Sequence, residues 1–250
     1  VYLDEIIFYL GKSYSILCQK MKKSILFNGN HETDNEDFNQ YLSNHRYKFK
    51  NNSFETGGYI ILKNNKISLI MDIGPPPEKK FSKDYQCGAL SFEIISNNKK
   101  LICNSGYFQK IKHKLNDISK STANHSTLII DNHSSCKINK SKMEIENELK
   151  ILNKNFVIEK NYWSISASHD GYNKRYGIIH ERQIEFFPEN NKFVGQDKLL
   201  KKKNFKSSTF EIRFHLEPNV KIMKTQDGKS ILIDIENEGW KFTAQGYTID

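Results

Sequence analysis

The sequence holds eight histidines, the side chains best suited to proton transfer or metal ligation near neutral pH. His125 stands just before the apolar run Thr127 to Ile130, where a strand would fix its imidazole. A buried histidine satisfied by hydrogen bonds is the competing role for it. In Ser168-His169-Asp170-Gly171-Tyr172 an imidazole and a carboxylate are neighbours, the pair a general base needs. Adjacent residues on a turn face each other poorly, and Asp170-Gly171 reads equally as turn chemistry. His180 and Arg182 share a strand parity with Tyr176 and Ile178, and Arg175 lies close by. Such a basic row beside aromatics can grip a ligand carboxylate, or form a partly solvated sheet face. His125, His169 and His180 are therefore the candidate proton-transfer residues, and Arg175, Arg182 and Tyr172 the candidate substrate contacts. His215 alternates with Glu211, Arg213 and Glu217, which points to surface pairing. Tyr107, Tyr162 and Trp163 offer flat rings for sugar stacking or for core packing.

Cysteine chemistry is less promising. Cys18, Cys87, Cys103 and Cys136 show no CxxC or CxxH spacing, so a zinc knuckle or dithiol motif is unsupported. A two-residue turn at Asn97-Asn98 sets Cys103 opposite Phe92 instead of Cys87. Buried thiols, with no disulfide, are the expectation.

The elements that must position these groups fall into two parts. Residues 2 to 27 carry Leu3, Ile6, Ile7, Leu10, Tyr14 and Leu17 at helical spacing, interrupted by Gly11. One such helix cannot bury its stripe alone. Residues 28 to 57 are polar and read as a linker with a short helix near Phe38 to Leu42. From Gly58 onward strands and tight turns take over. Tyr59 to Leu62 and Ile67 to Ile73 flank Asn64-Asn65, and Ala89 to Ile95 and Leu101 to Cys103 flank Asn97-Asn98. Pro75-Pro76-Pro77 ends the first hairpin. Met143 to Leu152 reads as a helical turn or two, or as a strand-edge excursion. Tyr176 to Phe187 and Phe193 to Leu200 flank Glu189-Asn190-Asn191. Phe210 to Glu217 alternates apolar and polar, and Ile231, Ile233 and Ile235 follow the Asp227-Gly228 turn. Many antiparallel strands with one apolar face each require a second sheet. The fold class is mainly β, a large antiparallel β-sandwich.

Composition excludes little more. The chain has 250 residues, a net charge of +9 and 12% aromatics, which argues against wholesale disorder. No apolar run is long enough to span a membrane. Lysines are dispersed, and the run Lys201-Lys202-Lys203 is short, so a contiguous nucleic-acid face is not expected. The first residue is Val1, which points to a missing upstream piece that would also hold any export signal.

Several strings taken together resemble one family. They are Thr56-Gly57-Gly58-Tyr59, Asp72-Ile73-Gly74-Pro75-Pro76-Pro77, Tyr85 through Glu93, Asn104-Ser105-Gly106, Thr122 through Leu128, and Ser168 through Tyr172. Their order and spacing over residues 55 to 245 resemble the C-terminal part of heparinase II/III-like proteins. The resemblance implies a polysaccharide lyase, with an α/α toroid preceding the sandwich. Residues 1–50 would be a helical remnant and linker of that toroid, and residues 51–250 the sandwich domain. Such lyases cleave uronate-containing chains by β-elimination, so the implied partners are an acidic polysaccharide and the chain's own upstream toroid. The implied location is the periplasm or cell envelope. The family's catalytic Tyr, and its toroid-borne His or Asn, would lie upstream of Val1, leaving this piece inactive by itself. The alternative is a carbohydrate-binding or cell-envelope protein that keeps the fold without the chemistry.

At the sandwich's own site the sequence departs from the pattern. Where the family carries His-x-His-x-Asp, alignment on Leu90-Ser91-Phe92 places Asp84, Gln86 and Gly88. The resemblance makes the second His, an Asp and a third His the metal ligands, and these positions hold Gln86, Asn104 and His125. One imidazole and two neutral amides suit zinc poorly. No zinc or other cofactor is therefore expected, and the three side chains are expected to hydrogen-bond one another instead.

Overall fold

The computed structural model describes residues 2–17, 24–30, 36–49, 53–107, 114–139, 141–146, 149–218, 220–247 and 249. Two helices come first, α1 (Tyr2–Leu17) and α2 (Glu36–Asn44). The expected helix does not run through all of 2–27: Ser24 to Phe27 is non-helical, and its Ile25 and Phe27 pack on a sheet. Gly11 sits against the Phe49 ring, where any side chain would collide. Ile6, Ile7 and Leu10 of the expected stripe remain exposed.

A five-stranded antiparallel sheet follows in simple sequence order: β1 (Glu55–Thr56), β2 (Tyr59–Lys63), β3 (Ile67–Asp72), β4 (Phe92–Ser96) and β5 (Lys99–Ile102). Its alternation separates two faces. Ile60, Leu62, Leu69, Met71, Phe92 and Ile94 enter the main core, while Ile61, Ile70 and Ile95 meet Ile16, Ile25 and Phe27 on the other side. The Asn97-Asn98 turn pairs Ser96 with Lys99 and Ile95 with Lys100 as expected, with both asparagines left-handed. A bulge then shifts the register. Cys103 consequently leaves Phe92 and bridges His215.

After α3 (Leu115–Ser119) come β6 (Leu128–Ile130), β7 (Ile138–Asn139) and β8 (Glu144–Ile145). A four-stranded antiparallel sheet is then built from β9 (Ile151–Glu159), β10 (Tyr162–His169), β11 (Ile178–Phe187) and β12 (Lys192–Lys201), with α4 (Asn173–Tyr176) between β10 and β11. Among the described residues of Met143 to Leu152, Glu144–Ile145 and the start of β9 are strand and none is helical. β13 (Phe210–Ile212) pairs with β6, and β14 (Lys221–Lys224), β15 (Ser230–Ile235) and β16 (Glu238–Thr243) form a three-stranded sheet. Trp163, Ile165, Ala167, Ile184 and Phe186 of the four-stranded sheet, with Ile233 and Ile235, pack on the five-stranded sheet's inner face. These packed antiparallel sheets are the expected β-sandwich. Among the described residues no helix is long and apolar enough to cross a membrane.

The cysteines depart from expectation. Cys87 and Cys136 form a disulfide with a Cα–Cα distance of 5.6 Å, and Cys103 is buried. Cys87 lies in the loop before β4 and meets a second loop, not the neighbouring strand. Cys18 lies outside the described residues.

Candidate functional site

Three loops converge at one end of the sandwich. They run from Ser82 to Ser91, from Cys103 to Tyr107, and from Asn116 to Thr127, and they carry Gln86, Asn104 and His125. All three side chains are buried. Gln86 donates from Nε2 to the carbonyls of Gly106 (3.0 Å) and Ser119 (3.1 Å), and its Oε1 accepts from Gly29 N–H at 3.4 Å. Asn104 Oδ1 accepts from Ser126 N–H at 3.0 Å, and Nδ2 is 3.4 Å from Glu93 Oε1. His125 Nδ1 donates to Ser121 O at 2.9 Å. Burial drives the His125 pKa down to about 4, with the Ser121 bond opposing and His215 assisting. The three side chains are therefore neighbours bonded to backbone and to Glu93, not to one another as expected.

This donor set does not fit the zinc implied by the resemblance. Both amide oxygens are turned to backbone N–H groups and carry no charge, and His125 Nε2 is buried without a hydrogen bond. One imidazole cannot replace a charged, convergent set of ligands. Gly88, at the family's Asp position, makes room for the His125 ring: an added Cβ would lie 2.6 Å from His125 Cδ2 and 3.1 Å from Ser91 Oγ. Asp84, at the family's first His position, is exposed.

Two buried carboxyls support this end of the fold. Glu93 Oε1 accepts from the backbone N–H groups of Leu26 (3.0 Å) and Asn104 (3.1 Å). Burial raises its pKa, against Lys100 and these hydrogen bonds. Asp72 is pushed up to about 7 by burial, opposed by bonds from Gly74 N–H and Asn28. Asn28 also donates to the Tyr59 hydroxyl and accepts from Gln86 N–H at 3.0 Å. The segment from Ser24 to Asn30 is thereby tied to Glu93, Asp72 and Gln86 together.

The second histidine group lies on β10 and β11. Gly171 N–H donates to His169 Nδ1 at 3.1 Å, so His169 carries its proton on Nε2 and donates to His180 Nδ1 at 3.1 Å. His180 Nε2–H then donates to Asp197 Oδ1 at 2.6 Å. Arg182 closes the group with two parallel bonds to Asp197, of 2.8 and 3.0 Å. Its Nη1 reaches the carbonyls of Leu90 (3.0 Å) and Ser126 (2.8 Å). Burial holds both imidazoles below the ordinary histidine range. Burial opposes ionisation of Asp197, but Arg182 and His180 hold its carboxyl well below the usual range. A neutral imidazole pair and an ion pair thus fasten β11 to the loops bearing Gln86 and His125.

The remaining sequence candidates are scattered. Arg182 is 2% exposed and Tyr172 is 1% exposed, with its hydroxyl on Leu128 O at 3.0 Å, so neither meets solvent. Arg175 is exposed over the Tyr176 ring. Asp170 accepts from Lys150 N–H at 2.7 Å instead of orienting His169. His215 is not a surface pair: its Nε2 donates to Ala123 O at 3.0 Å, while Arg213 does pair with Glu211 at 2.9 Å. Trp163 is buried in the core, and Tyr107 is half-buried. Sequence reasoning missed Asp197, although the Glu189-Asn190-Asn191 turn sets the register that pairs it with Arg182. It also missed Asp72 and Glu93, which look like ordinary strand polar residues until the Ser24 to Asn30 segment covers them.

Residues 48–250 match the model of the heparinase II/III-like C-terminal domain. No curated protein matches this chain by sequence. Among solved structures, the heparan sulfate lyase HepC from Pedobacter heparinus aligns with 16% identity and a TM-score of 0.66, over 90% of this chain and 36% of that one. The heparinase III BT4657 gene product aligns with 16% identity and a TM-score of 0.70, over 94% and 39%. A third, a heparinase III, gives 17%, 0.60, 93% and 38%. This chain thus spans well under half the length of those structures. The likeness in fold and the match over most of the chain agree: the chain belongs to the heparinase II/III-like family, through its C-terminal β-sandwich domain.

Proposed function

We propose that this chain is the sandwich part of a lyase that cleaves a uronate-containing, glycosaminoglycan- or alginate-like polysaccharide by β-elimination. The observation that carries the reading is the family match over residues 48–250. In β-elimination one group neutralises the uronate carboxylate, a base takes the C5 proton and an acid protonates the leaving oxygen. The proton-transfer groups would come from an upstream toroid, to which residues 1–50 belong, and the sandwich would wall the cleft. The exposed Ile6, Ile7 and Leu10 of α1 are an apolar face suited to helices of that domain. This chain's contribution is the loop end built on Gln86, Asn104 and His125, held without zinc or other cofactor. The Cys87–Cys136 disulfide suits an oxidising compartment, in keeping with the periplasm or cell envelope.

A second reading has its own support. The amides of Gln86 and Asn104 are committed to backbone, and Asp84 presents a carboxylate, which cannot neutralise a uronate. These features favour a carbohydrate-binding protein that keeps the fold. The discriminating experiment incubates the complete protein, and separately residues 1–250, with uronate-containing chains and follows ultraviolet absorbance of unsaturated uronate. The lyase reading expects product from the complete protein and none from residues 1–250. Glycan binding by the complete protein without product supports the second reading.

A further inference from the structure

The loop from Ser82 to Ser91 carries Asp84, Gln86 and Gly88, and it is fastened most heavily at Cys87, between the last two. Cys87 N–H donates to Lys120 O at 2.9 Å, and Cys87 O accepts from Thr122 Oγ1 at 2.6 Å and Ser135 Oγ at 3.3 Å. Its sulfur is bonded to Cys136, 49 residues away in sequence. Tyr85, Cys87, Cys136 and Ile145 form a buried apolar cluster around the bond, with Ile138 against it. Ser135 N–H returns to Thr122 Oγ1 at 2.9 Å, and Ile145 N–H donates to Ser82 Oγ at 3.0 Å. Three loops are thereby locked together at the residue next to Gln86, where the donor set does not fit a metal.

We infer that oxidation, not metal binding, assembles the loop end of this site: the Cys87–Cys136 disulfide is its redox-dependent clasp. The inference goes beyond the proposed function and holds for a lyase or a binder. Opening needs a dithiol reductant, which supplies two electrons. Two protons enter, the S–S bond breaks to two thiols, and the reductant becomes a disulfide. Cys87 is 1% exposed and Cys136 is 5% exposed, so the bond is reached only when the loops part. Once it is open, the covalent tie to the Cys136 loop is gone and the hydrogen bonds from Cys87 N–H to Lys120 and from Ser135 N–H to Thr122 break more often.

The test is amide hydrogen exchange on residues 1–250 in three states: oxidised, reduced with a dithiol, and oxidised with a chelator. Reduction is expected to speed exchange of Cys87 and Ser135 by at least about tenfold, while β3 amides stay protected and the chelator changes nothing. A Cys136→Ser variant without reductant is expected to reproduce the reduced pattern. If that variant fails to fold, reduced wild type decides. Unchanged exchange on reduction, loosening by the chelator, or loss of protection throughout the sheets would overturn the inference. So would recovery of Cys87 and Cys136 as thiols from unreduced protein.

Discussion

Asp197→Asn removes the charge from the group that fastens β11 to the site loops, while keeping its shape. In the native protein Asp197 takes two bonds from Arg182, at 2.8 and 3.0 Å, and one from His180, at 2.6 Å. With asparagine there, Arg182 remains charged at 2% exposure but faces no anion, and its acceptors are one amide oxygen and the carbonyls of Leu90 and Ser126. Breaking one side of a buried pair costs about 3–5 kcal/mol. For a domain of this size, where each kcal/mol shifts Tm by roughly 2–4 °C, the melting point should fall by about 6–20 °C. The pH sign follows from the depressed Asp197 pKa. Its stabilisation is fully present above the unfolded carboxylate value near ~3.9 and is lost as pH falls through the lower folded value. The gap between wild type and variant should therefore be flat from about pH 5 to 8 and narrow below about pH 4. Urea unfolding at several pH values measures it. A loss below about 0.5 kcal/mol at neutral pH would refute the reasoning. Arg182→Met combined with Asp197→Leu should cost less than the two single changes summed, because no charge is stranded.

Other perturbations give distinct readouts. Asp72 is raised to about 7, so its contribution to stability is fully present below the unfolded value near ~3.9 and is lost as pH rises through the folded value. Asp72→Asn should accordingly stabilise relative to wild type at pH 8 more than at pH 4, seen as a flatter profile of melting point against pH. Gly88→Ala drives a methyl to 2.6 Å from His125 Cδ2 and should cost about 1–3 kcal/mol, with much of it recovered by adding His125→Ala. Replacing both Cys87 and Cys136 by Ser removes a cross-link spanning 49 residues, worth about 4 kcal/mol by loop entropy, measurable by urea unfolding. Gln86→His with Asn104→Asp restores one imidazole and one carboxylate beside the imidazole of His125, so zinc affinity should rise by at least about a hundredfold in titration calorimetry.

Where local chemistry decides the structure, the sequence was readable. The Asn97-Asn98 and Glu189-Asn190-Asn191 turns fixed two hairpins, and strand parity put His180 and Arg182 on one face, although that face is buried instead of ligand-facing or partly solvated. Three features were hidden because they depend on distant segments. Ser24 to Phe27 left the helical pattern, since Glu93 holds Leu26 N–H and the sheet takes Ile25 and Phe27. The β9–β10 hairpin was obscured because most of β9 is exposed and lacks a clean alternation. The disulfide joins two irregular loops, for which no periodicity gives a register. At the candidate site, residue types gave the chemistry, as amides in place of metal ligands. The partners of those amides appeared only when the backbone of Gly106, Ser119 and Ser126 closed around them.

The central claim is that this heparinase-type loop end is held by sulfur and hydrogen bonds in place of a metal. Elemental analysis of purified residues 1–250, after dialysis against zinc-containing buffer without chelator, tests it most directly. Zinc is expected below about one-tenth of an equivalent per chain. A stoichiometric zinc that is lost on changing His125 to Ala would contradict it.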